Sequence, residues 1–376
     1  MLMQVETRAL KSPKADTGLS VTDITDQASR LDAFDNHERI WLGRDEKRGL
    51  TAIVAIHNTR LGPALGGTRV WPHENFDAAL TDALRLSRGM TYKAAVANLP
   101  LGGGKAVIWA DPAKDKTPAL LDAYAEMLAQ LDGQYFTAED VGLSLADADY
   151  LRERTRNVTG TTKGGSGNPS PVTAHGVYLG LKAAFAFRNG HENLSGVRVA
   201  VQGLGSVGWA LCERLHADGA KLIVSDIDEN RVAKAVVTFG AEAVSADEIL
   251  SADADIFAPC ALGAVLSAGT IPSLKAKIVA GAANNQLAKH DDARLLMERG
   301  VLYAPDYVLN AGGLINVACE LDPEGYDQQR VLKALQEIPT TLNMIFQRAE
   351  QLGRPTNDIA RDIADERLLL GVVPAA

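Results

Sequence analysis

VRVAVQGLGSVGWALCERL, residues 197–215, is the stretch on which the fold turns. An apolar run from Val197 to Val201 leads into Gly203-Leu204-Gly205-Ser206-Val207-Gly208, and a helical pattern from Trp209 to Leu215 follows at once. Glycines at this spacing say little alone. Between a strand and a helix they form the turn that lets backbone N–H groups approach a pyrophosphate. Gly203 would make the tight turn, Gly205 would admit the anion and Gly208 would let the helix pack on the strand. Ser206 and Val207 open that helix, whose N-terminus favours negative charge. The next apolar run, KLIVSD at 221–226, ends on Asp226, where a carboxylate can accept the ribose hydroxyls. Such a carboxylate repels a 2'-phosphate, so the expected cofactor is NAD, with Arg231 the one nearby residue that speaks for NADP. The local alternative is a plain turn with Asp226 capping the following helix.

Working outward, DIFAPC at 255–260 and KIVAGAA at 277–283 read as further strands between helical segments, which predicts a parallel, doubly wound sheet. Upstream, TGTTKGGSGNPSPVT at 159–173 has no apolar periodicity and reads as a hinge between domains. Before it, Ala52–Ile56 and Ala106–Trp109 read as strands. Thr117 and Pro118 start a helix whose Leu121, Tyr124, Leu128 and Leu131 recur at helical spacing. The first thirty or so residues read as a tail or arm, and the segment from about Asp327 to Leu370 as helices. The predicted architecture is α/β with two domains separated by a cleft. Residues 1–165 would form an α/β substrate and oligomerisation domain, with helices in 345–376 packing back onto it, and 166–344 a Rossmann nucleotide-binding domain.

A chain of 376 residues exceeds what one core usually serves, which supports two domains. A net charge of -9 with scattered Lys and Arg offers no basic field for nucleic acid or an anionic membrane, so a small-molecule partner is expected. Cys212, Cys260 and Cys319 are too dispersed for a disulfide framework and read as small buried hydrophobes. The seven histidines show no ligand spacing, so no metal is expected. No apolar span is long enough for a bilayer, and MLMQVETRALKSPKAD lacks the apolar core of a signal peptide, which leaves the cytoplasm as the expected location.

The chemistry-bearing residues cluster in the first half. Met90-Thr91-Tyr92-Lys93 and Leu101-Gly102-Gly103-Gly104-Lys105 set two lysines twelve residues apart, the second on what reads as a glycine-rich turn. In a closed cleft, two ammonium groups lower each other's proton affinity, and burial lowers both further. One can then grip a carboxylate while the other serves as general base. Thr137-Ala138-Glu139-Asp140-Val141 offers a carboxylate, Asp140, at a strand end that could exchange a proton with an amine. Locally, either lysine also reads as a solvated surface charge, and Asp140 equally as a helix cap before Gly142.

Six ordered motifs then converge. Gly62-Pro63-Ala64-Leu65-Gly66-Gly67-Thr68-Arg69, the Lys93, Lys105 and Asp140 segments, Gly167-Asn168-Pro169-Ser170-Pro171-Val172-Thr173 and Asn310-Ala311-Gly312-Gly313-Leu314-Ile315-Asn316 together resemble the glutamate/leucine/phenylalanine/valine dehydrogenase family, most closely its leucine dehydrogenase branch. The resemblance covers roughly residues 30 to 370. It implies NAD-dependent oxidative deamination of an apolar L-amino acid to its 2-oxo acid, reversibly, in a homo-oligomer. It further implies that Lys93 binds the substrate carboxylate, that Lys105 is the base that activates water, and that Asp140 shuttles the amine proton. Leu65, Gly66, Ala138, Glu139, Thr159, Leu314 and Val317 would form the pocket wall. Thr173, Asn284 and Asn285 would contact nicotinamide and substrate, and Ile227 and Asn310 complete the cofactor set.

The sequence also departs from the family pattern. Branched-chain members pair alanine at the position of Ala138 with valine at that of Leu314, aromatic members tend toward glycine and leucine, and this chain mixes the two. One methylene is worth about 1–3 kcal/mol of discrimination. A phenylalanine or tryptophan dehydrogenase is therefore the alternative within enzymes. A dinucleotide-binding regulator without catalysis is the alternative outside them, and intact Lys93, Lys105 and Asp140 argue against it. The segment after Thr159 is about two residues shorter than in leucine dehydrogenases.

Overall fold

Two sheets organise the chain in a computed structural model that describes residues 18–261 and 263–371. The first contains β1 (Ser20–Asp23), β2 (Arg39–Asp45), β3 (Leu50–Asn58), β4 (Ala64–Leu65), β5 (Thr68–Trp71), β6 (Gly102–Trp109) and β7 (Tyr135–Phe136). Its order is β1-β2-β3-β6-β4-β7, with β5 also pairing β6. The β1, β2, β3 and β6 pairings are antiparallel, and β4, β5 and β7 join in parallel.

Alternation along the central strands decides what covers each face. Ile53, Ala55 and Val107 pack with Leu80, Ala83 and Leu84 of α2 (Phe76–Val96), following the short α1 (Thr25–Ala28). Ala52, Val54, Ile56, Ala106 and Ile108 face Tyr124 and Leu128 of α3 (Pro118–Gln130) on the other side. Thr117 caps α3 by accepting the Leu120 N–H, and Pro118 holds the first helical position, where its missing N–H costs nothing.

Two readings of the first half are corrected. The predicted arm is partly sheet, since Ser20–Asp23 pairs antiparallel with Trp41–Arg44; residues 1–17 lie outside the described residues. The predicted glycine-rich turn is the start of β6. A Cβ at Gly102 would overlap the Asn58 carbonyl, one at Gly103 the Thr91 backbone, and one at Gly104 would sit 2.7 Å from the Tyr135 ring. The glycines are needed for close approach to the strand, not for a bend.

The second sheet holds β8 (Arg198–Gln202), β9 (Lys221–Ser225), β10 (Glu242–Ala243), β11 (Ile256–Pro259), β12 (Ile278–Val279) and β13 (Leu302–Tyr303). All pairings are parallel in the order β10-β9-β8-β11-β12-β13, the doubly wound arrangement that opens a crevice beyond β8 and β11. KIVAGAA gives a shorter strand than expected, because the chain leaves the sheet after Val279. The predicted hinge is shorter too: Ser170–Thr173 already lie in α5 (Ser170–Asn189), which follows α4 (Leu145–Arg152). Helices α6 (Ser206–Ala217), α7 (Glu229–Phe239) and α8 (Asp292–Glu298) alternate with the strands. After β13 come α9 (Asp306–Leu309), α10 (Gly312–Ala318), α11 (Gln328–Ala334), α12 (Glu337–Leu352) and α13 (Thr356–Leu370). α12 packs on α5, and α13 on α2, where the Arg367 guanidinium donates to the carbonyls of Ala95 and Val96 at 3.0 and 2.5 Å. Among the described residues no helix is long and apolar enough to cross a membrane.

Candidate active site

Three elements of the first sheet's domain deliver the ionisable groups. Lys93 sits in the last turn of α2, Lys105 on β6, and Asp140 in the loop between β7 and α4. All three line one cavity of about 340 Å³ between the two sheets. Leu65, Gly66, Ala138 and Glu139 form its wall on the first-sheet side. Leu314 and Val317 of α10 close it opposite, and Thr173, Val207, Asn284 and Asn310 border it toward the second sheet. The local reading of Asp140 as a helix cap is corrected, because Ser144 caps α4 and Asp140 lies in a loop with only an isolated bridge to Leu143.

The Lys105 side chain is 7% exposed, and its Nζ contacts Asp140 Oδ2. Burial is the main force on its proton affinity, Arg69 and Lys93 push the same way, Asp82 opposes, and the amine ends at about 7. Asp140 gives the ammonium a partner whenever a proton arrives. Lys93 Nζ donates to Asn284 Oδ1 at 3.4 Å, and the same oxygen accepts from Asn310 Nδ2 at 2.8 Å. Burial lowers Lys93 as well, while Asp306 holds it up. Glu139 is raised by burial.

Around the glycine loop each position meets a separate constraint. Gly203 has φ +98° and a Cβ there would sit 2.7 Å from that of Ala261, so the left-handed turn and the neighbouring loop both require glycine. A Cβ at Gly208 would overlap the Gly203 carbonyl, whereas Gly205, at the N-terminus of α6, has nothing within 4 Å. Asp226 accepts the Leu204 N–H at 2.5 Å and the Asp228 N–H at 2.8 Å. It does not cap α7; Asp228 does, and Asp228 also holds Arg231 at 3.3 Å. Ile227 is 97% exposed.

Two residues expected at the substrate or the nicotinamide stay out of the cavity. Thr159 is buried behind the wall with its hydroxyl donating to the Thr137 carbonyl, and its neighbour Gly160 lines the cavity instead. Asn285, at φ +51°, does not line it either. Sequence reasoning assigned no role to Gly67, Met90, Gly160, Gly167, Ala282 or Gly313, which do line it. It also missed the charges behind it: Arg69, 2.9 Å from Asp82, and buried Asp306, which accepts the Gln286 and Tyr307 N–H groups. Burial raises the Asp306 carboxyl. Arg69 carried a signal, since a cation directly after Gly66-Gly67-Thr68 faces the lysine strand; Asp306 carried none.

The family model described as "Glu/Leu/Phe/Val dehydrogenase, dimerisation domain" matches residues 37–157, and that of "Glutamate/Leucine/Phenylalanine/Valine dehydrogenase" matches 224–366. The leucine dehydrogenase of Bacillus cereus is 50% identical over 90% of this chain and 92% of that protein. The phenylalanine dehydrogenase of Lysinibacillus sphaericus is 47% identical over 84% of each. The crystal structure of L-tryptophan dehydrogenase from Nostoc punctiforme superposes with a TM-score of 0.80 at 47% identity, over 89% of this chain and 96% of that one. Motifs, fold and relatives agree, and the chain belongs to the glutamate/leucine/phenylalanine/valine dehydrogenase family of amino-acid oxidoreductases, which use a nicotinamide dinucleotide.

Proposed function

We propose that this chain catalyses the reversible, NAD-dependent oxidative deamination of a branched aliphatic L-amino acid such as leucine, valine or isoleucine. The observation that carries the reading is the meeting of Lys93, Lys105 and Asp140 in one cavity that also presents an apolar wall of Leu65, Ala138, Leu314 and Val317. The residues around it suit the cofactor. Gly205 leaves open space at the N-terminus of α6 for a pyrophosphate, and buried Asn310 Oδ1 has no partner among the described residues, as suits a carboxamide donor. Arg231 is tied to Asp228, which leaves Asp226 as the charge next to the ribose and favours NAD over NADP.

Bound NAD would supply the acceptor for the hydride that leaves Cα. Lys93 grips the substrate carboxylate and orients Cα. Lys105, neutral in half or more of the molecules above pH 7, takes a proton from the water that attacks the iminium carbon. Asp140, in contact with Lys105, passes a proton to the nitrogen as the carbinolamine collapses to the 2-oxo acid and ammonia. Closure of the cleft around the loop at 160–169 excludes bulk water. We place the protein in the cytoplasm as a homo-oligomer, on its free cysteines and on the dimerisation role named for the 37–157 model.

A second reading, an aromatic substrate, is favoured by Leu314 and by the likeness to tryptophan and phenylalanine dehydrogenases. Initial rates of NADH formation with leucine, valine, isoleucine, phenylalanine, tryptophan and glutamate decide. The first reading expects the highest kcat/KM for an aliphatic substrate; a preference for an aromatic one transfers the assignment.

A further inference from the structure

We infer that Glu320 is a positioning residue that sets the depth of the side-chain pocket by clamping the loop at 160–167 against α10. One carboxylate oxygen, Glu320 Oε1, accepts the backbone N–H of both Gly160 and Ser166, at 2.9 and 2.7 Å. Glu320 lies two residues beyond the end of α10, in the turn Cys319–Leu321 that continues the helix carrying Leu314 and Val317 into the cavity. Asn316, on the same helix, donates to the Ser166 carbonyl at 3.5 Å and is held by the Tyr326 hydroxyl at 3.0 Å. On the other side, Asp149 accepts from Thr162 N–H at 2.7 Å and from its hydroxyl. Within the loop the Gly167 N–H donates to the Thr161 carbonyl at 3.0 Å, but what ties the loop to its neighbours comes from Glu320, Asn316 and Asp149.

The clamp matters because of what Gly160 does. A Cβ built on Gly160 would lie 3.6 Å from Val317 Cγ1 and 3.8 Å from Ala138 Cβ, so its backbone bridges the two apolar walls and ends the pocket between them. With Gly164, Gly165 and Gly167 beside it, the loop has more backbone freedom than most and little preference of its own for that place. Two N–H groups on one carboxylate oxygen supply the part of the restraint that reaches Gly160 itself, and charge-assisted bonds of this kind are stronger than neutral ones. Glu320 touches neither Lys93, Lys105 nor Asp140 in any hydrogen bond described, so its loss leaves the proton-transfer groups in place.

This rests on the proposed function for its substrates, not for its geometry. The test uses Glu320→Ala, Glu320→Asp and Glu320→Gln in the full chain. Alanine removes the acceptor, aspartate keeps the charge but shortens the reach, and glutamine keeps an oxygen at the same reach. The ratio of kcat/KM for leucine to that for phenylalanine is expected to fall by about tenfold in the Ala and Asp variants, the scale of one methylene of pocket depth, and to be largely kept in Gln. Hydrogen exchange at 160–167, and tryptic cleavage after exposed Lys163, should quicken in the same two variants. An unchanged ratio or unchanged exchange in Asp overturns the inference, as does a Gln variant that behaves like Ala; the Asp and Gln pair decides even if Ala fails to fold. If the unaltered protein oxidises neither amino acid, the proposed function fails, and exchange at 160–167 still judges the clamp.

Discussion

Replacing Arg69 by glutamine isolates how this cavity keeps a lysine neutral. Lys105 moves from 10.5 to about 7, a shift of about 5 kcal/mol toward the amine relative to a free lysine. Burial is the largest cause and Arg69 the next. Because Arg69 is paired with Asp82 at 2.9 Å, the variant removes a cation and frees an anion, and both changes raise the proton affinity of Lys105. A neighbouring charge moves an ionisation by about one pH unit or more, at about 1.4 kcal/mol per unit, so the ionisation should rise by at least about one pH unit. A base must be neutral to act, so kcat/KM climbs with pH through this ionisation. Near pH 7, about half of Lys105 is neutral in the unaltered protein and about a tenth in the variant, a loss of about fivefold that vanishes above about pH 10. The assay is NADH formation from leucine, unaltered and variant protein measured at each pH, so that the substrate amine's own ionisation cancels from the ratio. A loss that stays constant across pH, or an ionisation that moves downward, refutes the reasoning.

Asp226→Ser should narrow the proposed preference for NAD over NADP by removing the carboxylate proposed to meet the ribose, read as the ratio of kcat/KM for the two cofactors; equal use by the unaltered protein would already contradict the assignment. Leu314→Val should shift preference toward longer side chains and Ala138→Gly toward aromatic ones, and relative kcat/KM values left unchanged in both would show that these positions do not set the pocket. Stability should fall with acidification between pH 6.5 and 4, because burial holds His57 at about 4 while the unfolded chain takes up its proton below 6.5. That window carries up to about 3 kcal/mol, fully present above pH 6.5, and urea unfolding of His57→Gln should show a flatter pH dependence across it.

The second sheet was legible because its signals are local. The strand, glycine turn, helix and Asp226 lie within thirty residues, and each constraint acts between near neighbours, as when Gly208 packs on the Gly203 carbonyl. The lysines and Asp140 were legible as chemistry and as a family pattern, but their surroundings were not. Gly102, Gly103 and Gly104 look like a turn in one dimension; what demands them is Asn58, Thr91 and Tyr135, brought alongside by a sheet whose order is not that of the chain. Thr159 and Gly160 sit at adjacent positions with opposite outcomes, and only the bridge of Thr137 to Val158 decides which one faces the cavity. Asp306 reaches Lys93 across more than two hundred residues, beyond any spacing rule.

The contact of α13 with α2 orders events during synthesis. The carbonyls of Ala95 and Val96 end the helix that carries Lys93, and their guanidinium partner is Arg367. The Ala95 carbonyl also accepts the Asn98 N–H at 3.0 Å, so the end of α2 closes on its own turn, and Arg367, translated some 270 residues later, adds a second partner there. A nascent chain can close that turn by itself, yet the helix that packs on α2 emerges only with nearly the whole polypeptide. A fragment ending before α13 would carry every reactive side chain of the site, yet the helix that holds Lys93 would lack the neighbour that packs on it.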